Sequence, residues 1–579
     1  MTELVASPGA RKSHRAKGGP RLRPARVVPS IVVLAVLAVL ILVPAALVAL
    51  ASVSSDVPRP GNVTGDLTWG NFGVLAETGT RQAMTNSLVI SVVATILACA
   101  IGAGLAFLAA RTDIHVPKFV YLVGLMPMFL PSYVGALAWS LLGSPNSGLL
   151  NILQRDLGLD LPLNTYSIPG MIFVFAIYYA PYTFLLMHGS MSMMGPDLEE
   201  AARVHGASTR RMLFRVSFPL AMPALIGAAI LTFVLIFENF PVAQVLGSPG
   251  GIDTLPTLIF RLLNATPSRG TESAAISVVL VAVVILVTWL QKRFLAKRSF
   301  TTITGKGVRQ KKVALGRARL PIFLLVIGFF LVSLVLPVLA LVVVSGQTSP
   351  YMTSLSELFA PGGLEFGSYA DVVASDTFRS VTGNSVIVSV VAAASGTAIA
   401  FISAYIVYRS KSVGRTVIEG VSMVPLAIPA VVLGMGLLWT WLVMPVPLYG
   451  TLAVLVVAFL AVQTSQGFRG IAASILATDR DLEDSAVMLG ASRIRAITAV
   501  TVPLMKAGLL STFVLLLMLS MRELTVPLYL YTSDTKILSI AIYDAFENGG
   551  ALRQAAAMSV IYVVIMFVLS YLPRVRSGR

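Results

Sequence analysis

The sequence predicts an all-α integral membrane protein with about twelve transmembrane helices, arranged as two tandem six-helix repeats of the same orientation. Of the 579 residues, 56% are hydrophobic and only 12% are charged, whereas a soluble domain carries about 25% charged residues. Long uncharged runs recur along the chain, and a helix needs about 20 such residues to cross the hydrocarbon core. A polar segment at 199–223 also returns at 483–507, which indicates a duplication.

The chain begins with a basic segment, 1–26, which we expect to lie in the cytoplasm. The apolar run that follows, 27–53, is too long for the apolar region of a signal peptide and lacks a convincing cleavage site. We therefore predict a first transmembrane helix with its N-terminus inside, within a first bundle at 27–290. The other spans of this bundle are expected at 86–111, 119–142, 168–194, 221–246 and 273–290.

A basic linker, 291–319, separates the two halves. It contains ten Lys or Arg residues and no acid, which makes it the strongest marker of the cytoplasmic side. The second bundle is predicted at 320–573, before a cytoplasmic tail at 574–579. Its eighth span begins at Asn384 and its ninth carries a proline pair, and the remaining spans are expected at 320–344, 451–476, 504–529 and 552–572.

Proline pairs occupy matching places in the third and ninth spans. Pro127 and Pro131 are spaced like Pro425 and Pro429. A proline removes a backbone hydrogen bond and kinks a helix, and neighbouring helices in a membrane satisfy the freed carbonyls. We therefore predict a kinked span at both places.

The net charge of +17 raises the question of a nucleic-acid partner. Its distribution argues against one, because Lys and Arg cluster beside the ends of spans and are not interleaved with aromatic residues. The bilayer is the expected partner. The single cysteine, Cys99, excludes a disulfide within the chain and a cysteine metal site. We expect no metal site and no catalytic residues, because the sequence has no HExxH, CxxC pair or GxSxG.

Two polar loops, 195–223 and 479–507, have the composition of a helix that docks on a partner. The acids at Glu199–Glu200 suit the first turn of a helix, where the helix dipole favours negative charge. The alanines at Ala201–Ala202 favour the helix and allow close approach. Gly206 is placed to end this helix in a left-handed conformation. With six helices in each half, both loops are expected to face the cytoplasm.

The pattern Glu-Ala-Ala, three residues, Gly, seven residues and a Phe-led hydrophobic run ending in Pro resembles the EAA loop of bacterial ABC importer permeases. In the first loop the matching residues are Glu200, Ala201, Ala202, Gly206, Phe214, Val216, Phe218 and Pro219. The second loop resembles the pattern less closely, at Asp484, Ser485, Ala486, Gly490, Val500 and Pro503. The resemblance implies two ATPase-coupling helices, of which the first is the stronger.

This resemblance covers most of residues 80–575 and implies a fused permease subunit of an ATP-driven importer in the bacterial inner membrane, with both termini cytoplasmic. It implies two copies of an ABC ATPase and a periplasmic or lipid-anchored solute-binding protein as partners. We expect ATP and magnesium to bind to the ATPase and no cofactor to bind to this chain, which has no GxxxxGK[ST] loop and is not expected to be an enzyme.

The substrate is suggested by the resemblance alone. The Gly-Lys-Gly run at 305–307 and the run Met521–Leu524 resemble the ferric-iron branch of these permeases, so ferric iron is the first expectation. Relatives in that branch carry thiamine, polyamines, sulfate or phosphonates, and these alternatives remain open.

Charges within the predicted spans mark candidates for the translocation path. Glu238 and Asn239 lie toward the outer part of the fifth span, and Arg522 and Glu523 occupy the corresponding place in the eleventh. A charge facing lipid at mid-bilayer costs about 2.5–3.5 kcal/mol on the insertion scale, so these side chains should face the protein interior or water. Glu238 pairing with Arg522 across the halves is one hypothesis, and a structural ion pair or an interfacial position is the alternative.

The main alternative function is an ion-coupled secondary transporter of twelve helices, which can also arise by parallel duplication. Such a transporter needs buried ion-relay acids and no ATPase, and it has no reason to repeat a docking loop. A membrane enzyme is a third class, but no convergent polar constellation supports it.

Overall fold

The computed structural model describes residues 24–159, 161–194, 197–296, 312–349, 352–410, 412–547 and 551–577. Most of the basic N-terminal segment, the middle of the linker with its Gly-Lys-Gly run, and the end of the C-terminal tail lie outside the described residues. Within these ranges the chain is helical, and its extended pairings are isolated bridges such as that between Thr112 and Val313.

Nine helices of the described chain are long and apolar enough to cross a membrane, and three bent helix pairs raise the number of candidate spans to twelve. The predicted all-α fold is confirmed. In chain order the spans are Val28–Ser52, Thr78–Arg111, Pro117–Phe129 with Ser132–Gly143, Ile168–Met193, Leu213–Phe237, Gly270–Arg293, Gly316–Gly346, Asp376–Tyr408, Arg415–Leu426 with Ala430–Val443, Leu452–Ala477, Arg493–Leu504 with Lys506–Met521, and Leu552–Leu569.

Short helices lie in the connections between the spans. In chain order they include Leu149–Asp156, Asp197–Val204, Pro241–Gly247, Leu255–Leu263, Gly367–Ala374, Asp481–Met488, Pro527–Leu530 and Leu538–Glu547. Two of them, Asp197–Val204 and Asp481–Met488, are the helices predicted in the polar loops.

The third and ninth spans are broken rather than gently kinked. The third span changes direction by 93° between Phe129 and Ser132, and the ninth by 111° between Leu426 and Ala430. In each case the second proline of the pair directly precedes the restarted helix. A proline has no backbone N–H and cannot donate a hydrogen bond to the preceding turn, so one helix ends and a new one begins. The predicted kinks are therefore confirmed and are sharper than expected.

The fifth and eleventh spans begin and end earlier than predicted. The fifth ends at Phe237, and a separate helix, Pro241–Gly247, follows after a break. The eleventh ends at Met521, and a short helix resumes at Pro527. Apolar residues resume directly after both breaks, which is why the sequence suggested continuous helices. The breaks matter because they hold the charged residues that were assigned to the interior of the spans.

The two halves interlock through their first helices. The second part of the first span, Val43–Ser52, packs against the ninth span at Ala430–Val443, and the seventh span at Leu336–Gly346 packs against the third at Ser132–Gly143. Each opening helix therefore packs on the other half as well as on its own, where the first span contacts Gly270–Ala296 and the seventh contacts Leu552–Ser577. The sequence had suggested two bundles side by side, and nothing in the hydrophobic pattern distinguishes a helix that packs on its own half from one that packs on the other.

One glycine makes this exchange possible. A Cβ atom added to Gly436 would lie 2.5 Å from the carbonyl oxygen of Pro44 and 3.0 Å from its Cβ, which is closer than such atoms approach in proteins. The backbone of the first span thus lies directly against the ninth span. By contrast, a Cβ added to Gly383 in the eighth span would have no neighbour within 4 Å.

We predict that Gly436→Ala lowers the thermal stability of the purified protein, whereas Gly383→Ala does not. Overpacking costs about 1–3 kcal/mol, and this loss outweighs the gain of about 1 kcal/mol that alanine brings inside a helix. Gly383→Ala should show only the stabilising effect of alanine inside a helix. Melting temperatures in detergent would measure both, and equal melting temperatures for the two variants would contradict the close contact between the halves.

Candidate functional site

The two polar helices end in the same way. The helix Asp197–Val204 is followed by Gly206 with a φ of 78°, and Asp481–Met488 is followed by Gly490 with a φ of 93°. Positive φ is the left-handed conformation that glycine adopts without strain, and it ends a helix by redirecting the chain. The predicted glycine stop is therefore present in both copies.

A buried ion pair fixes the first polar helix to the membrane bundle. Glu199 forms a salt bridge with Arg111, the last residue of the second span, and the two side chains are only 8% and 4% exposed. The hydroxyl of Ser217, at the start of the fifth span, donates to the same carboxylate oxygen at 2.7 Å. The sequence analysis had placed Glu199 in a helix turn for its dipole alone. The structure shows that it instead joins the polar helix to two spans.

The second polar helix is fixed by an equivalent carboxylate with different partners. Glu483 is 2% exposed. It accepts hydrogen bonds from the hydroxyl of Tyr405 at 2.5 Å and from the hydroxyl of Thr501 at 2.6 Å. The Nε atom of Arg493 lies 3.2 Å from the same carboxylate. Glu483 therefore also joins its helix to two spans, the eighth and the eleventh.

The two anchors follow from aligned positions in the repeat. Ser217 corresponds to Thr501, and both hydroxyls donate to the buried carboxylate. Phe107 aligns with Tyr405 but has no hydroxyl to donate. In the first half Arg111, at the end of the second span, donates to the buried carboxylate instead.

Arg409, which aligns with Arg111, is used differently. Its guanidinium donates to the carbonyl oxygen of Ile475 at 2.9 Å and also to that of Thr478, at the C-terminus of the tenth span. Aligning the two halves would have revealed these repeated acids, hydroxyls and arginines. Without that alignment, a basic residue at the end of a span indicates only the cytoplasmic side.

Asp484, the second loop's counterpart of Glu200, is engaged within its own loop. Its carboxylate pairs with Arg493 at 2.9 Å and with Arg480 at 3.2 Å. The hydrogen bond from Arg493 holds the pKa of Asp484 below its ordinary value. This acid is therefore ionised and already neutralised before any partner approaches. The side chain of Glu200 lies outside the described residues.

The other predicted coupling residues form exposed surface. Phe214 is 66% exposed, and the neighbouring apolar side chains Val204 and Phe218 are exposed as well. Ala202 and Ala486 are half-buried under the polar helices. The remaining members, all exposed, are Ala201, Gly206, Pro219, Ser485, Gly490 and Pro503. An exposed aromatic ring beside a helix with small residues is the composition of an interface.

The charged residues assigned to the translocation path lie in the two helix breaks. Asn239 accepts a hydrogen bond from the backbone of Val242 at 3.0 Å and donates to the hydroxyl of Tyr179 at 2.5 Å. Glu523 accepts from the backbone nitrogen of Thr525 at 3.0 Å. The bonds from Val242 and Thr525 satisfy backbone N–H groups that the broken helices leave free.

Glu238 and Arg522 do not form the ion pair that the sequence suggested. Arg522 instead donates to the carbonyl oxygen of Met128 in the broken third span, at 3.5 Å. Tyr179 contacts Asn239 and lies within electrostatic range of Glu238 and Arg522, and Glu523 lies within range of Glu238. The two helix breaks are therefore neighbours in the fold. Among the described residues, no cluster of three or more His, Cys, Asp or Glu is placed to hold a metal ion.

We predict that Glu199→Gln destabilises the protein more than Glu483→Gln. Removing one member of a buried ion pair costs about 3–5 kcal/mol, because the remaining charge is left in a poorly solvated site. Arg111 is such a charge, whereas Arg493 is 42% exposed and stays hydrated without its partner. Melting temperatures of the two variants would show which one is less stable. The double variant Arg111→Met with Glu199→Met should regain most of the loss, and failure of this rescue would contradict the role of the ion pair.

Comparisons with known proteins agree with this geometry. The profile of a family described as the binding-protein-dependent transport system inner membrane component matches residues 98–300 and again 396–575. The ferric transport system permease protein FbpB of Actinobacillus pleuropneumoniae is 22% identical over 496 residues, which cover 85% of this chain and 70% of that protein. The sn-glycerol-3-phosphate transport system permease protein UgpA of Salmonella typhimurium is 30% identical over 200 residues, which cover 33% of this chain and 68% of that protein.

A solved structure of a bacterial ABC transporter involved in the import of the acidic polysaccharide alginate covers 41% of this chain and 85% of its own, at 19% identity and a TM-score of 0.37. The family profile matches more than half of the chain, in two copies that run from within the second span to the sixth and from within the eighth span to the twelfth. The chain therefore belongs to the family of binding-protein-dependent transport system inner membrane components, as a multi-pass inner membrane permease with two fused copies of the family domain.

Proposed function

We propose that this permease imports ferric iron, delivered by a solute-binding protein, and that two copies of an ABC ATPase drive it from the cytoplasm. The observation that carries the proposal is the repeated polar helix, ended by a left-handed glycine and anchored by a buried carboxylate. Six spans separate the two copies, so both helices lie on one side of the membrane. We assign that side to the cytoplasm, together with both termini, because the basic linker lies on the same side.

The anchors supply a physical route for coupling. An ATPase that closes on ATP and magnesium would displace the two docked helices toward each other. Because Glu199 binds both Arg111 and Ser217, this displacement would be transmitted to the ends of the second and fifth spans. Glu483 would transmit it to the eighth and eleventh spans through Tyr405 and Thr501. Alternating access then follows from the preference of the closed ATPase for one arrangement of the bundles.

The expected weakness of the second docking helix has a structural explanation. Asp484 is held by Arg493 and Arg480 of its own loop, so a partner cation would have to compete with both. In addition, Thr498 stands where the first loop presents the exposed ring of Phe214. The first helix therefore offers more to an ATPase than the second.

The choice of ferric iron rests on the relatives and on the polar breaks. FbpB of Actinobacillus pleuropneumoniae matches both halves of the chain, whereas UgpA matches a third of it. One carboxylate, Glu238, interacts electrostatically with the phenol of Tyr179, and a second, Glu523, interacts with Glu238. Oxygen ligands of this kind suit a hard cation. An ion-coupled secondary transporter is the alternative, but it would not need two docking helices.

We predict that Gly206→Asp impairs transport more than Gly490→Asp. A side chain at either position forces a non-glycine residue into the left-handed region and adds bulk to an exposed docking surface. ATPase binding and substrate uptake in vesicles should both fall, with the larger fall for the first helix. Gly362 is exposed in the connection after the seventh span and has the same φ of 78° as Gly206, so Gly362→Asp serves as a matched control. Equal effects of the two aspartate variants would contradict the ranking of the helices.

We also predict that Glu238→Gln reduces iron uptake while leaving ATPase binding intact. The substitution keeps the size of the side chain and removes the charge that a cation in the path would meet. Uptake of labelled ferric iron into vesicles would measure the effect, with Asp66→Asn, an exposed acid of the first outer connection, as the control. Undiminished uptake by Glu238→Gln would remove this residue from the path.

A further inference from the structure

An open apolar groove lies beside the first polar helix. Its cavity volume is about 290 Å³, and it is lined by the second span at Ala103, Gly104 and Phe107, by three methionines at the end of the fourth span, and by the start of the fifth span. The polar members of this lining are Arg111 and Ser217, which are the two partners of Glu199. The groove therefore extends from the apolar side chains of the spans to Arg111 and Ser217, which hold the polar helix through Glu199.

The second half carries larger side chains at the positions that open this groove. Phe401 and Ile402 align with Ala103 and Gly104, and the ring of Phe401 lies 6.1 Å from that of Tyr405. In the first half a Cβ added to Gly104 would meet nothing within 4 Å, so the space is unfilled. The first half therefore has more room at these two positions than the second half.

The polar end of the groove contains a buried hydrogen-bond donor that lacks an acceptor among the described residues. Arg111 uses Nη2 for Glu199, but its buried Nη1 has no hydrogen-bond partner among the described residues. An unsatisfied buried donor costs about 1–3 kcal/mol, so an acceptor brought to this atom would be stabilising. Arg215 is exposed and directly follows Phe214, which lines the groove. An exposed cation therefore stands beside a groove whose interior is apolar.

We propose that this groove binds one acyl chain of an anionic phospholipid from the cytoplasmic leaflet. The chain lies among Phe107 and the methionines, an ester carbonyl oxygen accepts from Nη1 of Arg111, and the phosphate pairs with Arg215. The cytoplasmic leaflet is rich in anionic lipid, and each nearby Lys or Arg contributes about 1 kcal/mol of attraction. The orientation of the groove rests on the proposed function, whereas its preference for an anionic lipid does not.

Such a lipid would act on the first docking helix through Arg111 and Ser217. Both residues contact Glu199 on one side and the groove on the other. Filling the groove would restrict the same side chains that hold the polar helix. The lipid is therefore a structural ligand of the first anchor, with no counterpart required at Glu483.

The full-length protein in nanodiscs of equal phosphatidylglycerol and phosphatidylcholine provides the test, with retained lipid counted by native mass spectrometry. The wild type should retain one phosphatidylglycerol in preference to phosphatidylcholine. Ala103→Phe and Gly104→Ile, which copy the second half, should lose it. Ile96→Phe should retain it, because Ile96 is 62% exposed on the same span away from the groove. Arg215→Gln should lower the preference for the anionic lipid about fivefold, as expected for one cation.

Melting temperatures equal to that of the wild type would establish that each variant is folded. Retention of phosphatidylglycerol by folded Ala103→Phe and Gly104→Ile, or no retained lipid in the wild type, would overturn the proposal. Displacement of the lipid by the purified ATPase would also overturn it, because the groove would then be a protein interface. Retained lipid together with no ATPase binding would count against the proposed function and leave the groove assignment standing.

Discussion

A buried carboxylate at the base of each polar helix is the interaction on which the rest of this structure depends. An ionised acid removed from water must be matched by cations and donors, and the spans that supply them are thereby fixed relative to the polar helix. Glu199 is matched by Arg111 and Ser217, and Glu483 by Tyr405, Thr501 and Arg493. The exposed surface that a partner meets is thus held by groups that the partner never touches.

Duplication preserved this design but not its details. The hydroxyl donors at the fifth and eleventh spans are equivalent, whereas the second donor changed from an arginine to a tyrosine with a loop arginine. This difference in donors accompanies differences elsewhere in both halves. The second half gained an internal network that also occupies Asp484, and the first half kept small residues that leave a groove beside its anchor. The two halves therefore present unequal polar helices although they share one fold.

Much of the fold was predictable because the bilayer imposes simple rules on composition. The spans, the proline breaks and the left-handed glycines at 206 and 490 all follow from local chemistry. The early end of the fifth span did not, because Phe237 and Pro241 are both apolar and only the backbone reveals the break. The burial of Glu199 was also missed, since its partner Arg111 is 88 residues distant in sequence. The path residues were found by their charge, but their partners depend on packing that sequence periodicity does not encode.

The exchange of the first and seventh spans between the halves sets an order of events during biogenesis. Helices enter the membrane in the sequence in which they are synthesised. Val43–Ser52 is among the earliest segments made, yet its packing surface on the ninth span, at Gly436, does not exist until most of the chain has been translated. The opening helix can pack on the sixth span earlier, but its other face must wait in the bilayer for the ninth span. Joining both halves in one polypeptide keeps that waiting helix close to its eventual neighbour, so that the correct pairing does not depend on an encounter between separate chains.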